Sequence, residues 1–419
     1  MIDAEQRARD AGLDVVDWDL ELADEFRHRL PSQSLTLAAR RYAGGRGAFY
    51  SNAARGFFVV TDYAMLSEAL DDPAVFSSAE GEHLFLREPM LHRPLPIQMD
   101  PPEHTKIRKL LAPYFTPRQV AGKFEQEART LCHDAVATIA PRGACDAIAD
   151  FGEPVTAAIT SHYMGVDPTL VTALIGAVRR RSRPSTVGSD KDQYREGVNT
   201  IADIFADILA QRRARPLDDI PSALLQARID GHPLTDDVVL NLCCTTFAAG
   251  VHTTSAELGF IYYYLASDPA LRHRIVNDPA LIPRAVEELL RFEASAVING
   301  RVLARDVTFH GIALRTGDRV LLVLEAANRD PAVFSEPDRI EFDRYPNPHL
   351  AFGKGIHRCV GSLLARMIMQ VALEEWHRRI PEYALGDLSG VTYDLSANAR
   401  MSAVPLVFPP SNETATATR

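Results

Sequence analysis

The chain has 419 residues, 46% of them hydrophobic and 24% charged, with a formal net charge of −10. That is ample for a large core, and length alone suggests two or three domains. The acidic balance argues against a nucleic-acid partner, and five scattered cysteines (Cys132, Cys145, Cys243, Cys244, Cys359) are too few for a disulfide framework.

The first residues, Met1 to Arg7, are charged and lack an apolar signal core. The longest apolar run, Val238 to Val251, is broken by Asn241 and two threonines and falls short of the ~20 residues a membrane span needs. A soluble, cytoplasmic protein with reduced thiols is expected. No serine/glycine linker, low-complexity stretch or repeat divides the chain. Residues 1–409 therefore read as one domain and 410–419 as a disordered tail, in which the Asn412-Glu413-Thr414 sequon is a chance match.

In chain order, Gly56 to Val60 reads as a strand. Helices are predicted from Thr105 to Leu111, Phe124 to Ile139 and Val198 to Arg213, where apolar residues recur at three- and four-residue spacing. Thr235 is a good N-cap, with Asp236 and Asp237 in the first turn of a helix that runs to Leu265. At 1.5 Å per residue that helix is about 45 Å long, and being apolar nearly all round it belongs at the centre. Arg319 to Leu324 reads as a strand after the turn Thr316-Gly317-Asp318. Val360 to Arg379 reads as a helix closed by Pro381, and Ala403 to Phe408 as a last strand. The fold class is mainly α with a small β-sheet region (α+β).

Cys359 stands between a glycine-rich turn and a helix start, in Phe352-Gly353-Lys354-Gly355-Ile356-His357-Arg358-Cys359-Val360-Gly361. Unpaired N–H groups and the helix dipole favour a thiolate there, and the glycines let backbone turn or a flat body approach. A lone cysteine at a helix start is more commonly a small buried hydrophobe. A zinc site built on Cys359 and His357 lacks a second pair of ligands at metal spacing.

Midway along the central helix lies Ala248-Ala249-Gly250-Val251-His252-Thr253-Thr254. The Thr253 hydroxyl can bond back to the Ala249 carbonyl and open a groove for a small ligand; close helix packing is the other use of such small residues. Glu288 and Arg291 share a helix face and can pair, as can His104 and Arg108 with a common anion.

The loop ending at Gly361, with Leu364-Ala365-Arg366 after it, resembles the haem-binding loop of the cytochrome P450 family. Ala249, Gly250, Thr253 and Thr254 match that family's oxygen-activating motif, but His252 stands where a carboxylate is usual. Glu288-Leu289-Leu290-Arg291 matches its Glu-x-x-Arg motif, and Arg344 falls where the third, structural member of that network sits. Asp100-Pro101-Pro102-Glu103-His104-Thr105, Ala327-Asn328-Arg329-Asp330-Pro331 and Phe334-Ser335-Glu336-Pro337-Asp338 extend the similarity from Asp100 to Arg366.

The resemblance implies a single triangular domain with a long central helix, and haem b (iron protoporphyrin IX) as cofactor. It implies Cys359 as the iron ligand, with Phe352 and Gly361 against the ring. It further implies His104, Arg108, Arg301 and His357 as propionate donors. Thr253, with His252 as a proton shuttle or as a mere polar spacer beside water, would manage protons. The implied activity is insertion of one oxygen atom from O2 into a small, largely apolar substrate, by hydroxylation, epoxidation or O-dealkylation. A non-hydroxylating reaction of the same family and a non-catalytic haem sensor are the competing readings.

Position alone nominates Leu84, Phe85, Leu86, Ala249, Val297, Ile298 and Met401 for the substrate pocket. Electrons would come from a ferredoxin and a ferredoxin reductase, since the chain carries neither a flavin- nor an iron–sulfur-binding module. Lys106, Lys109, Lys354, Arg358 and Arg366 form either a docking face for an acidic ferredoxin or a solvated surface. Arg179-Arg180-Arg181-Ser182-Arg183 reads as a solvated helix end in preference to a carboxylate-binding rim. A monomer is expected.

Overall fold

A computed structural model of the chain describes residues 3–20, 29–81, 93–181, 188–395 and 398–411. Among them a six-stranded sheet forms from β1 (Val15–Val16), β2 (Ala48–Ser51), β3 (Phe57–Val60), β4 (Phe76–Ser77), β5 (Ile298–Leu303) and β6 (Arg319–Val323), ordered β1-β2-β3-β6-β5-β4. β6 runs parallel to β3, with Leu321 opposite Val59, and antiparallel to β5, with Val320 opposite Arg301. β3 and most of β6 are buried, which suits their uninterrupted apolar sequence.

Helices make up the rest of the frame: α1 (Glu103–Leu111), α2 (Glu125–Ile139), α3 (Glu153–Met164), α4 (Val171–Arg181), α5 (Gly188–Ala214), α6 (Asp236–Ser267), α7 (Ile282–Phe292) and α8 (Ser362–Arg379). α6 is the 32-residue central helix; its Thr235 cap accepts from the Val238 N–H as predicted. It has hardly an exposed face after its first two turns, and it touches α3, α4, α5, α7 and α8. Burial on all sides follows from a sequence with no apolar stripe to choose between. The predicted helix at 360–379 begins two residues later, at Ser362, with Gly361 as its N-cap residue. No helix among the described residues is long and apolar enough to cross a membrane.

The main core gathers α2, α3, α6, α7 and α8, with Phe151, Tyr262, Trp376 and Tyr383 in edge-to-face or tilted ring contacts. A second core lies under the outer face of the sheet, around Phe58, Phe76, Phe309 and Leu322. α6 and the loop before α8 meet the inner edge of the sheet, and a cavity lies between them.

Candidate active site

The cavity holds about 340 Å³. Its floor is the loop from Phe352 to Gly361; its roof is α6 from Thr245 to Glu257; its edge is β5 together with α1.

Local backbone chemistry puts Cys359 in the floor. The Gly353 N–H donates to Leu350 O at 2.7 Å and the Cys359 N–H to Phe352 O at 2.8 Å, folding the loop under the cavity. Gly353 and Gly355 adopt φ of +66° and +65°, and a Cβ on Gly355 would lie 2.3 Å from the Leu70 carbonyl oxygen. Protein packs densely around Cys359, yet its sulfur is accessible, because its open side is the cavity. Burial raises the thiol pKa; the Gly361 N–H, then Arg108, Arg366 and Arg358, pull it down. The helix-mouth donor expected from sequence is therefore present but outweighed by burial, until a cation sits against the sulfur. The other four cysteines are buried away from the cavity, their thiols pushed up to about 12 for Cys132, Cys145 and Cys244 and well above normal for Cys243.

Whether these residues suit haem is decided at two places. A flat ring needs a slot free of side chains beside the sulfur. A Cβ on Gly361 would meet nothing within 4 Å, and one on Gly353 only the His357 carbonyl at 4.0 Å, so both positions open onto the void. The ring's two carboxylates need donors at the edge. There the His104 and His357 rings lie 4.2 Å apart, with Arg108 and Arg301 in the same wall. His104 is 2% exposed with neither ring nitrogen hydrogen-bonded, and His357 Nε2 is likewise without a partner. Burial, then Arg301, His104 and Arg108, push the His357 pKa down to about 3. Burial and then Arg108 lower that of His104. An edge that repels its own protons lacks an anion, and the residues fit haem b on both counts.

In the roof, Thr253 Oγ1 donates to the Ala249 carbonyl at 2.7 Å, the back-bond anticipated from spacing. A Cβ on Gly250 would lie 2.8 Å from Tyr163 Oη and 3.1 Å from Thr160 Oγ1, so this glycine permits α3 to pack against α6. His252 is buried, and its Nε2 has no partner. Burial, helped by Arg400 and Arg181, pushes its pKa down to about 3, so the imidazole is neutral near pH 7. Titration near 6.5, the basis of the expected pH dependence, is thereby displaced.

Of the positional pocket candidates, Ala249 and Ile298 line the cavity. Val297 and Met401 do not: both are fully buried in the main core. Leu84, Phe85 and Leu86 lie outside the described residues. Phe352 lines the floor, with the Arg366 guanidinium 4.3 Å from its ring centre. Arg179 pairs with Glu153 and Arg180 with Glu196 at 3.5 Å, while Arg181 reaches the cavity wall; Ser182 and Arg183 lie outside the described residues.

Behind the floor, Glu288 accepts from Arg291 at 2.8 and 2.9 Å, from Arg344 Nε at 3.1 Å, from Glu341 N at 2.8 Å and from Asn347 Nδ2 at 3.2 Å. Arg291 also donates to the Asn328, Pro337 and Arg339 carbonyls and is wholly buried. On the outer surface, Lys106 pairs with Asp230, Lys354 with Asp71 and Arg366 with Glu287, which neutralises three of the five cations of the expected basic face.

Among the cavity residues that the sequence did not single out, one carries a carboxyl. Glu257, 2% exposed, lines the roof one turn beyond Thr253. The signal was there: it is the single Asp, Glu, Lys or Arg between Asp237 and Asp268.

A long central helix over a cavity that holds one open thiol is the arrangement that a haem-thiolate enzyme requires. The family model for cytochrome P450 matches residues 182–376. The steroid C26-monooxygenase of Mycolicibacterium smegmatis is 32% identical, over 85% of this chain and 88% of that one. The mycinamicin IV hydroxylase/epoxidase of Micromonospora griseorubida is 35% identical, over 73% of this chain and 80% of its own length. Among solved structures, the bottromycin biosynthetic protein SalCYP superposes with a TM-score of 0.81 at 30% identity, covering 94% of this chain and 95% of that one. This chain belongs to the cytochrome P450 family. It is an oxidoreductase of the monooxygenase type, and its cofactor is haem b.

Proposed function

We propose that this monooxygenase inserts oxygen into a small, largely apolar organic molecule bound beneath α6, and that Cys359 would hold the haem iron through its thiolate. The observation that carries this reading is that Cys359 alone of the five cysteines opens onto the cavity. Haem bound through a thiolate supplies the redox chemistry, because the sulfur pushes electron density that favours O–O cleavage.

The chain's own residues do the rest. His104, Arg108, Arg301 and His357 bind the carboxylates at the cavity edge and fix the ring's rotation. Phe352, braced by Arg366, shields the sulfur from water. Gly361 leaves the ring room. The Glu288–Arg291–Arg344 network anchors the segment that feeds the floor. Thr253 holds water and dioxygen at the α6 groove, and His252, as a neutral imidazole, orders the water behind it.

The substrate is largely apolar, since the cavity wall is mostly carbon. Electrons arrive from a ferredoxin, itself reduced by a ferredoxin reductase, docking over the exposed Arg358 and Lys109 beside the floor. The enzyme works as a cytoplasmic monomer with one catalytic domain over residues 1–409. A visible-band titration tests the substrate class: apolar steroids, terpenes and macrolide aglycones should displace water and shift the band. Shifts confined to highly charged molecules would contradict it.

A further inference from the structure

Insertion of one oxygen atom follows RH + O2 + 2e− + 2H+ → ROH + H2O, so every turnover draws two protons into a buried cavity. Six non-arginine titratable side chains among the described residues line it: His104, Tyr163, His252, Glu257, His357 and Cys359. His104 and His357 would be taken up by the ring's carboxylates at the cavity edge, and His252 is neutral near pH 7. Tyr163 is held at about 12 by burial, and Cys359 faces the metal. Guanidinium groups do not give up protons. That leaves Glu257.

Glu257 is set for the task by geometry. Its Oε2 accepts the Ser295 N–H at 2.8 Å, which fixes the carboxyl against the cavity wall, while Oε1 has no protein partner. Thr253 and Glu257 are four apart on one helix, on one face, with Cβ atoms about 6 Å apart, a spacing at which one water could join the two side chains. The Thr253 proton is committed to the Ala249 carbonyl, so its lone pairs are what it offers the cavity. An acceptor there needs a donor.

Charge counting shows that Glu257 keeps its proton. It faces Glu293 and Glu325, both fully buried, whose shared guanidinium is Arg329. Arg329 Nε lies 3.3 Å from Glu325 Oε1, with its other nitrogens turned to Asp338 and the Phe292 carbonyl. Glu293 receives Ser32 N at 2.8 Å, Ser32 Oγ at 2.5 Å and Tyr264 Oη at 2.6 Å, the donor set of a carboxylate. Arg291 also acts on Glu325 but is itself paired with Glu288, so the three carboxyls outnumber the cations beside them. Burial and then Glu293 accordingly raise Glu325 to about 8; burial, with Glu293 and Glu325 against the Ser295 N–H, raises Glu257 well above the carboxylate range. His252, on the same helix, is uncharged and offsets nothing.

We propose that Glu257 is the proton donor of the cavity: its O–H bond breaks as a bridging water takes the proton, that water passes another to the Thr253 oxygen, and the resulting carboxylate is reprotonated from solvent. The proton that the Thr253 oxygen receives passes on to reduced dioxygen while its own stays on the Ala249 carbonyl, so each transfer conserves one proton and the two electrons come from the external donor. The inference rests on the cavity housing haem as proposed above.

Infrared difference spectra on photolysis of bound carbon monoxide test it without turnover. The wild type should show a perturbed carbonyl stretch of a protonated carboxylic acid, shifted in D2O and absent from Glu257→Gln. The same variant, driven by a surrogate ferredoxin pair with testosterone as probe, should keep the thiolate-type carbon monoxide band and its ligand-induced shift. Its hydrogen peroxide released per O2 consumed should rise about tenfold. A wild type with no acid band overturns the proposal even if the variant fails to load haem, and so does a band that survives in Glu257→Gln. Unchanged peroxide release overturns it too. Weaker probe binding with unchanged peroxide release overturns it in favour of a substrate contact. An imidazole-type carbon monoxide band in the wild type would instead fault the Cys359 assignment.

Discussion

Two buried acid clusters flank α7, and they are built oppositely. Glu288 meets donors from Arg291, Arg344, Asn347 and the Glu341 backbone, and its arginine partner is in turn spent on three carbonyls. Glu293 and Glu325 share the Arg329 guanidinium, and beside them Glu257 Oε1 is left bare at the cavity. The first is a charge network with nothing outstanding, the arrangement that holds a fold in one state. The second retains protons because it cannot compensate three charges. A buried carboxyl with all its bonds made is structural; one with a bond to spare next to a void is available for chemistry.

Breaking the satisfied cluster has the largest effect. Glu288→Ala strands Arg291 and Arg344 in the interior and costs about 3–5 kcal/mol. The purified variant should carry no haem, read from its Soret-to-protein absorbance ratio; full loading would refute the structural role of that network.

Buried imidazoles extend the contrast and respond to pH. His377 is satisfied on both sides, by the Leu373 carbonyl at 2.8 Å and Tyr383 Oη at 3.0 Å, and burial holds its pKa at about 4. Its folded value lies below the unfolded one near 6.5, so protons favour the unfolded chain as pH falls from 6.5 to 4. This residue should cost about 2 kcal/mol between pH 7 and pH 5. Urea unfolding of His377→Gln at both pH values should show that slope reduced; an unaltered slope would mean that His377 protonates freely in the fold.

Thr253→Ala removes the hydroxyl but no buried charge. Haem content should stay at the wild-type level while product per electron pair drops about tenfold, measured as peroxide against product. The smallest effect is expected where the unsatisfied cluster is changed isosterically. If Glu257 is neutral, Glu257→Gln exchanges one uncharged group for another and shifts thermal stability at pH 7 by less than about 1 kcal/mol. A loss near that of Glu288→Ala would show an ionised Glu257 and erase the distinction between the clusters.

Much of this architecture was legible in the sequence, for identifiable reasons. The central helix was read to Leu265 and ends at Ser267, because a strong cap and an unbroken apolar run leave little choice. The strands at β3 and β6 were visible as β-branched and apolar runs. β5 was not, although it carries Arg301: Asn299-Gly300 within it reads as a turn, and its strand character comes from pairing with β6 and β4. Gly81 is needed because it passes so close to β5 that a Cβ on it would lie 2.4 Å from the Gly300 carbonyl oxygen.

At the site, glycine spacing located Cys359, and helix spacing paired Thr253 with Ala249. Pocket residues chosen by position fared unevenly: Ile298 reaches the cavity while its neighbour Val297 is turned into the core, a distinction of side-chain direction that spacing does not encode. The protonation of His252 was beyond sequence altogether, since burial and two distant arginines set it.

The central claim is a bond from Cys359 sulfur to iron, and the carbon monoxide difference spectrum of the reduced protein reads it directly. The wild type should give the red-shifted band of a thiolate-ligated haem, and Cys359→His should move it to the position of an imidazole-ligated one. A wild-type band already at the imidazole position, or one that Cys359→His leaves in place, would contradict the assignment.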